Sequence, residues 1–459
     1  MGQQNNPLQS DAVSGSQEDF AQMRATAREI FLQALGECGV GDAIAGNVEV
    51  SRGLLRVCED LYDLRTYSRI FVMAIGKASR AMAEALQHQM GSGLAGILVQ
   101  PETYTAAPML AGFRHFNSGH PTPNAASFAA ATAVLKWMRT QAENAFVIYL
   151  LSGGGSAMLE KPLDDALTLE DLGATHGALV HSGAPIAEIN AVRKHLSAVK
   201  GGRLAETAEK GGAAQQVSIM ISDVPDSAPD ALASGPTMPD STTADDCYEI
   251  AARYQFLPAL PPPVRELFER KALQETPKIE SGAFKHSRWW TVLSNTSLQK
   301  AAAAAAASAG FAVELDNSCD DWDYARAADH LLNRLRQLRQ GVSRVCLISG
   351  GEVTVKVPQA CRPGAGGRNQ HFALYCATRI AGENIAVLSA GSDGIDGNST
   401  AAGAVADGST LERARQMNCD PEAALAGFDS FSIFQKLQDE IMTGATGHNI
   451  RDLRVLLAW

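Results

Sequence analysis

The chain has 459 residues, 46% hydrophobic and 19% charged, which is enough for two or three domains with cores of their own. It carries 39 Lys and Arg against 50 Asp and Glu, and its net charge of −11 argues against a nucleic-acid surface, which needs clustered cations. Short apolar runs and a polar, acidic start argue against a membrane span and a secretory signal. Eight cysteines without metal-ligand spacing are typical of reduced thiols, so we expect a cytoplasmic protein without membrane partners.

In chain order, residues 1–22 predict a flexible tail, and a helical pattern runs from about Met23 to Gly36. A first α/β domain is expected over residues 23–256. The proline-rich and polar stretch 257–284 is the best linker candidate. A second α/β domain is then expected over residues 285–459.

Five apolar runs stop at clusters of small, charged or amide residues. These runs are Ile70–Ile75, Phe146–Leu151, Val217–Ile221, Val345–Ile348 and Ile385–Leu388. They alternate with helical stretches, which favours parallel strands of open α/β sheets, and such sheets bind ligands beyond the carboxyl ends of their strands. A further strand-like run, Trp289–Leu293, is assigned to the second domain. The five stops therefore predict the rim of an active site.

Two of these stops have features of a phosphate site. Lys77 follows a strand and Gly76 and opens the helical pattern 78–90, where the positive helix end favours phosphate oxygens. The loop Ser152-Gly153-Gly154-Gly155-Ser156 allows backbone N–H groups to approach a phosphate, and its hydroxyls add donors. A solvated lysine and a flexible turn are the alternatives for these two positions.

The segment from Asn190 to Arg203 predicts a helix that continues to Gly201, with Arg193, Ser197 and Lys200 on one face. The stripe of Arg193, Lys194, Lys200 and Arg203 would form an anion clamp, with Arg193 and Lys200 as its expected ligand-binding residues. The alternative is a helix surface with ordinary solvated charges.

Asp223 follows a third strand, in the sequence Ser222-Asp223-Val224-Pro225-Asp226. A carboxylate at a strand end can hold Mg²⁺ or accept a proton from a hydroxyl group. Turn and helix-cap roles are the alternative, with more weight for Asp226 than for Asp223.

In the second domain, Glu352 ends the Gly350-Gly351-Glu352 stop, and Arg368 lies in a glycine-rich loop before the helical pattern 371–380. A guanidinium delivered by such a loop can fork onto phosphate oxygens, whereas the alternative is a mobile surface loop. Asp393 and Asp396 form a further carboxylate pair, which would equally suit a tight turn.

Several long blocks of this sequence resemble the MOFRL-type glycerate 2-kinase family. They are LSGGGSAMLEKP, NAVRKHLSAVKGGRLA, SDVPDSAPDALASGPTMPDSTT, ISGGEVTV, GAGGRNQHFAL, AGSDGIDGNSTAAGAVAD and TGATGHN. The resemblance implies two α/β domains with mostly parallel, Rossmann-like sheets and an active site in the cleft between them. It also implies phosphorylation of D-glycerate to 2-phospho-D-glycerate with ATP and Mg²⁺, and central catalytic roles for Lys77 and Arg368.

Residues and resemblance together predict a phosphoryl transferase, in which positioning and charge stabilisation do most of the catalysis. The 152–156 loop and nearby backbone would cradle the ATP phosphates, while Lys77 and Arg368 would neutralise the transferring γ-phosphoryl group. Asp223 would organise Mg²⁺, and Asp393 would accept the proton of the glycerate hydroxyl. The other expected ligand-binding residues are Arg193, Lys200 and Glu352.

Two alternatives are kept. Some family members are labelled hydroxypyruvate reductases, but an NAD(P)H-dependent reductase would normally show GxGxxG after an early strand, and the sequence around Gly76 does not fit. A non-catalytic sensor of sugar acids or nucleotides could use the same fold. Transfer to the 2-hydroxyl rather than the 3-hydroxyl rests on the resemblance alone, and assembly into a homo-oligomer stays open.

Overall fold

The computed structural model describes residues 16–104, 108–358 and 361–459 of the chain. These residues form two compact units, which we name after their sheets. The parallel-sheet unit comprises residues 39–294 and 447–450, and the mixed-sheet unit comprises 16–38, 295–446 and 451–459. In the described part of the chain, no helix has both the length and the apolarity needed to cross a bilayer.

Helix α1 (Gln17–Glu37) begins earlier than the sequence pattern predicted. Ser16 accepts a hydrogen bond from the backbone N–H of Asp19, and Asp19 accepts one from the backbone of Ser16, which together form a capping box. Residues 17–22 of the predicted tail are therefore helical. Residues 1–15 of that tail lie outside the described residues.

The parallel-sheet unit follows α1 along the chain. Its strands are β1 (Val48–Ser51), β2 (Leu54–Val57), β3 (Asp60–Asp63), β4 (Arg69–Ile75), β5 (Ala95–Pro101), β6 (Phe113–Ser118), β7 (Ala145–Ser152), β8 (Gln215–Ile221) and β9 (Ser287–Leu293). Its α-helices are α2 (Val40–Asn47), α3 (Ser79–Met90), α4 (Ala125–Gln141), α5 (Gly155–Met158), α6 (Leu169–His181), α7 (Ile186–Leu196), α8 (Arg203–Lys210), α9 (Ala244–Tyr254) and α10 (Pro262–Glu269).

The main sheet of this unit has the order β6-β5-β4-β7-β8-β9, with all neighbours parallel. The central strand β7 is buried along its whole length, as a continuous apolar run with helices on both faces requires. The three predicted strands of the first domain are confirmed as β4, β7 and β8. Since they are parallel neighbours, their carboxyl ends share one rim of the sheet.

The boundary between the units differs from the predicted one. Strand β9 pairs in parallel with β8, so the run at Trp289–Leu293 completes the first sheet and does not start a second domain. The stretch 257–284 is packed: it contains α10, and Leu260, Val264 and Phe268 lie in a buried apolar cluster with α7 and α9. The prolines and polar residues of this stretch predicted a linker. Its few apolar residues do not show in the sequence that they pack against α7 and α9.

The mixed-sheet unit contains the remaining elements. Its strands are β10 (Ala312–Leu315), β11 (Val345–Gly350), β12 (Ile385–Gly391), β13 (Gly403–Asp407), β14 (Glu440–Ile441) and β15 (Asp452–Ala458). Its helices after α1 are α11 (Asn295–Ser308), α12 (Tyr324–Arg339), α13 (Arg368–Arg379), α14 (Thr410–Gln416), α15 (Pro421–Ala426) and α16 (Ser430–Leu437).

The sheet of this unit has the order β10-β11-β15-β12-β13-β14. The predicted strands β11 and β12 are confirmed, but the last strand, β15, lies between them and is antiparallel to both. In this register Gly350 pairs with Leu453 and Gly391 pairs with Asp452. The start of β15 therefore lies at the same rim as the carboxyl ends of β11 and β12.

Candidate active site

The turn after β4 and the triple-glycine loop after β7 are joined by hydrogen bonds. The N–H of Lys77 donates to the carbonyl of Gly153 at 2.8 Å, and the N–H of Ala78 donates to Oγ of Ser152 at 3.0 Å. Gly76 has φ of 117°, and a Cβ there would lie 2.4 Å from the carbonyl oxygen of Ser152. Glycine is therefore required at position 76 for two independent reasons. The N–H groups of Lys77, Ala78 and Ser79 all donate within the protein, so at this turn a ligand meets the Lys77 side chain.

The ammonium group of Lys77 forms no hydrogen bond or ion pair within the described part of the chain. Its neighbour is His120, whose pKa is lowered by partial burial and by the Lys77 charge. A Cβ on Gly154 would lie 2.9 Å from Cδ2 of His120, so this imidazole also borders the loop. Sequence reasoning missed His120, although it follows β6 at the same rim, because β6 is only partly buried and does not appear as an apolar run.

The triple-glycine loop is shaped by close neighbours. A Cβ on Gly153 would lie 1.9 Å from Oδ2 of Asp223, so this carboxylate presses against the loop. Gly154 has φ of 83°, and its N–H and that of Gly153 donate to no acceptor among the described residues. Ser156 is hydrogen-bonded to the hydroxyl of Ser234. The structure thus brings Lys77, the 152–156 loop and Asp223 together at one rim, with two backbone donors available to an anion.

The predicted clamp of Arg193 and Lys200 differs in detail. Helix α7 ends at Leu196, so the expected helix to Gly201 is wrong. Lys200 is 1% exposed and forms an ion pair with Glu160; burial lowers its pKa to about 8 although the Glu160 carboxylate opposes that change. Glu160 therefore neutralises the ammonium of Lys200. Arg193, in contrast, has no carboxylate partner among the described side chains.

Arg368 is the first residue of α13 and is clamped by two carboxylates. Its Nε and Nη2 donate to Asp452 at 2.5 and 3.1 Å, and Nη2 lies 2.7 Å from Oε1 of Glu352. Burial alone would lower the pKa of Arg368, but these carboxylates raise it well above its ordinary value. The charge is permanent and its planar fork is oriented. Asp452 was missed because the sequence reasoning considered only the carboxyl ends of strands, whereas Asp452 begins an antiparallel one.

Glu352 is positioned by a hydrogen-bonded loop. The N–H groups of Gly350, Gly351 and Glu352 each donate at 3.0 Å, to Asn317, Asn295 and Asp320 respectively. The carbonyl of Gly350 accepts from the fully buried Arg454 at 2.7 Å. The loop after β11 is thus rigid, and it fixes one of the two carboxylates that hold Arg368.

Asp396 belongs to the start of α13. Its carboxylate accepts from the backbone N–H groups of Asn369 and Gln370 at 3.1 and 2.9 Å, and from the Gln370 amide at 3.0 Å. Burial raises the pKa of Asp396 to about 6, because those hydrogen bonds offset only part of the desolvation. This carboxylate caps the helix that carries Arg368, which is a positioning role.

Asp393 lies closer to the rim. One of its oxygens accepts from the backbone N–H of Ile395 at 3.2 Å. A Cβ on Gly391 would lie 3.2 Å from Oδ1 of Asp393 and 3.3 Å from Oδ1 of Asp452, so both carboxylates face the same glycine. The structure therefore groups Asp393 with Asp452, Glu352 and Arg368.

A dedicated metal cage is not seen within residues 16–104, 108–358 and 361–459, where no three His, Cys, Asp or Glu side chains are grouped to hold an ion. Mg²⁺ usually binds through one or two carboxylates together with phosphate oxygens and water. The Asp223 carboxylate beside two available backbone N–H groups fits such a shared site. The residues present are therefore compatible with Mg²⁺ carried by a phosphate ligand.

Fold and site together define an α/β protein whose sheet rims carry cations and glycine-rich loops suited to an anionic ligand. Residues 26–269 match the family described as a domain of unknown function, DUF4147, and residues 345–452 match the MOFRL family. The chain is 35% identical over 394 residues to the D-glycerate 2-kinase of Thermotoga maritima, covering 84% of this chain and 89% of that protein. It belongs to the MOFRL-type glycerate kinase family.

Other relatives agree with this membership. A protein of Agrobacterium vitis with the provisional name hydroxypyruvate reductase is 36% identical over 400 residues, which cover 85% of this chain and 99% of that protein. The crystal structure of glycerate kinase from Thermotoga maritima matches 96% of this chain and all of its own, with a TM-score of 0.80 at 30% identity. The predicted α/β fold class is thereby confirmed.

Proposed function

We propose that this protein transfers the γ-phosphoryl group of ATP to the 2-hydroxyl group of D-glycerate, giving 2-phospho-D-glycerate. The observation that carries the proposal is the 35% identity to a D-glycerate 2-kinase across 84% of the chain. The lysine and two backbone donors at one rim, and the oriented arginine at the other, are the groups that phosphoryl transfer uses. Its partners would be small molecules, and its compartment the cytoplasm.

Lys77 and Arg368 carry the main charge stabilisation in this proposal. Lys77 has no partner among the described residues, so its ammonium can neutralise phosphate oxygens without first breaking an ion pair. Arg368 is held by Asp452 and Glu352, so its fork is oriented before the ligand arrives. In this proposal the Lys77 ammonium and the Arg368 guanidinium both neutralise charge on the transferring γ-phosphoryl group.

The triple-glycine loop would hold the ATP phosphates through the N–H groups of Gly153 and Gly154. Asp223, which presses against Gly153, would hold Mg²⁺. When bound, Mg²⁺ neutralises phosphate charge and orients the transferring group. Asp223 and the loop touch each other, so binding of the phosphates and of the ion would be coupled.

Asp393 would accept the proton from the 2-hydroxyl of glycerate. Of the four carboxylates around Arg368, which are Glu352, Asp393, Asp396 and Asp452, the other three already have structural roles. Asp452 and Glu352 are engaged by the guanidinium, and Asp396 receives four hydrogen bonds from Asn369 and Gln370 at the start of the helix. A base must reach the hydroxyl within hydrogen-bond distance, which requires a carboxylate with a lone pair to spare.

The test is a coupled assay for ADP release with ATP, Mg²⁺ and D-glycerate, run with and without EDTA. The proposal expects turnover that depends on both glycerate and the metal ion. A parallel assay with NADH and hydroxypyruvate should show no oxidation of NADH. Oxidation of NADH without ADP release would replace the kinase with a reductase.

A further inference from the structure

Arg193 carries a mostly buried guanidinium that forms no ion pair within the described part of the chain. Its one hydrogen bond to the described residues is a long contact, 3.5 Å from Nη1 to the amide oxygen of Asn190, and it forms no ion pair with them. Burial lowers the pKa of Arg193, although the charge of Glu160 opposes that change. Burying a charge without a partner is costly, so proteins retain such groups where a ligand supplies the opposite charge.

The carboxylate nearest to Arg193 is already satisfied. Oε1 of Glu160 accepts from Oγ of Ser197 at 2.6 Å and from the N–H of Lys161 at 3.0 Å, while Oε2 contacts Nζ of Lys200. Lys200 cancels the charge of Glu160. The cluster of Arg193, Lys200 and Glu160 therefore keeps one net positive charge, located on Arg193.

This charge borders a small cavity of about 30 Å³, lined by Glu160, Thr175, His176, Arg193 and Ser197 among others. Nδ1 of His176 is buried there without a hydrogen-bond partner in the described part of the chain. Burial and the charges of Arg193 and Lys200 lower the pKa of His176, so the ring is neutral and can donate one N–H. A volume that takes one or two waters admits a carboxylate group but excludes a nucleotide.

The cavity lies close to the Lys77 rim. Glu160 follows α5, the short helix that begins inside the triple-glycine loop. Pro123, which also lines the cavity, comes three residues after His120. Three residues span at most about 11 Å of chain. The cavity and the Lys77 rim are therefore carried by neighbouring segments of the same unit.

We propose that this cavity binds the carboxylate of the acid substrate, with Arg193 and the His176 N–H as its donors. The proposal rests on the proposed function, because glycerate is the carboxylate that the reaction would use. One net positive charge matches one carboxylate. The site explains why Arg193 forms no ion pair with the described residues while the neighbouring Lys200 pairs with Glu160.

The test compares Arg193→Gln and His176→Ala with His181→Ala, a histidine on the exposed face of the same helix, α6. Loss of a charged hydrogen bond predicts a rise in KM for D-glycerate of about 10- to 100-fold for Arg193→Gln, with KM for ATP unchanged. His176→Ala should raise the same KM about 10-fold, and His181→Ala should leave it unchanged. Calorimetric titration without ATP should show binding of D-glycerate to the wild type, loss of that binding in Arg193→Gln, and none for the neutral analogue glycerol.

Each other result counts against the site. A wild type that turns over glycerate, with Arg193→Gln at normal KM, overturns this inference and leaves the proposed function standing. A rise in KM for ATP alone would reassign Arg193 to a phosphate and overturn the carboxylate site. A wild type that makes no phosphoglycerate overturns the proposed function, and the carboxylate site with it.

Discussion

The contact between Gly153 and Asp223 makes Gly153→Ala an informative substitution. The new Cβ would lie 1.9 Å from Oδ2 and 2.5 Å from Cγ of Asp223, whereas ordinary contacts begin near 3.4 Å. Gly153 does not have a positive φ, so alanine suits the backbone and the carboxylate must give way. The Asp223 carboxylate must therefore move by about 1.5 Å.

The expected cost falls on turnover more than on stability. A displacement of about 1 Å in a positioning group can cost about 100-fold in rate, so kcat of Gly153→Ala should fall by about that factor. Crowding of this kind costs about 1–3 kcal/mol of unfolding free energy, and a shift in Tm of a few degrees follows. If Asp223 holds Mg²⁺, the variant should also need a higher concentration of the ion for half-maximal rate.

The assay is ADP release at saturating ATP and D-glycerate, measured over a Mg²⁺ titration beside thermal unfolding. Gly46→Ala is the matched control, because Gly46 lies exposed on α2 and a Cβ there would meet nothing within 4 Å. This variant should have an unchanged kcat and a free energy of unfolding that is higher by up to about 1 kcal/mol. A Gly153→Ala enzyme with normal kcat and normal Mg²⁺ dependence would refute the role given to Asp223.

Three further expectations follow from contacts of single side chains. Lys77→Met and Arg368→Gln should each lower kcat by about 1,000-fold, and the double variant should lose little more, because both act on one phosphoryl group; additive losses in rate assays would contradict this. Lys200→Met should lower the free energy of unfolding, measured with denaturant, by about 3–5 kcal/mol, because it leaves Glu160 buried and unpaired. Adding Glu160→Gln should recover most of that loss. Equal stability of the single variant and the wild type would contradict the buried pair. Burial lowers the pKa of His371 to about 4 in the folded protein. In the unfolded chain this histidine takes up a proton already near pH 6.5, so the free energy of unfolding should fall between about pH 6.5 and 4. His371→Phe should reduce that drop, and an unchanged pH profile of unfolding would contradict the assignment.

Sequence patterns predicted the elements that carry the site because each element leaves a local signal. The runs ending before Lys77, Ser152 and Asp223 are buried parallel strands, so their ends had to meet at one rim. Arg368 could likewise be placed at a helix start from its glycine-rich loop. Hydrophobic periodicity and turn residues are set by nearest neighbours in the chain, which is why they can be read without coordinates.

The remaining features depend on pairing between distant segments. Asp452 reaches Arg368 because β15 inserts antiparallel between β11 and β12, and a strand's direction leaves no local pattern. The ion pairs of Lys194 and Lys200 join residues that are far apart in the sequence, so the pattern could not show that both cations are neutralised within the protein. The edge strand β9 resembled the start of a new domain because an isolated strand does not indicate which sheet it joins.

The measurement that tests the central claim most directly is ³¹P NMR of the product formed from ATP, Mg²⁺ and D-glycerate by the wild-type protein. The account predicts the signal of 2-phosphoglycerate, growing in step with ADP. A 3-phosphoglycerate signal would keep a kinase but contradict transfer to the 2-hydroxyl. No new phosphate ester with active, folded protein would contradict the proposed function itself.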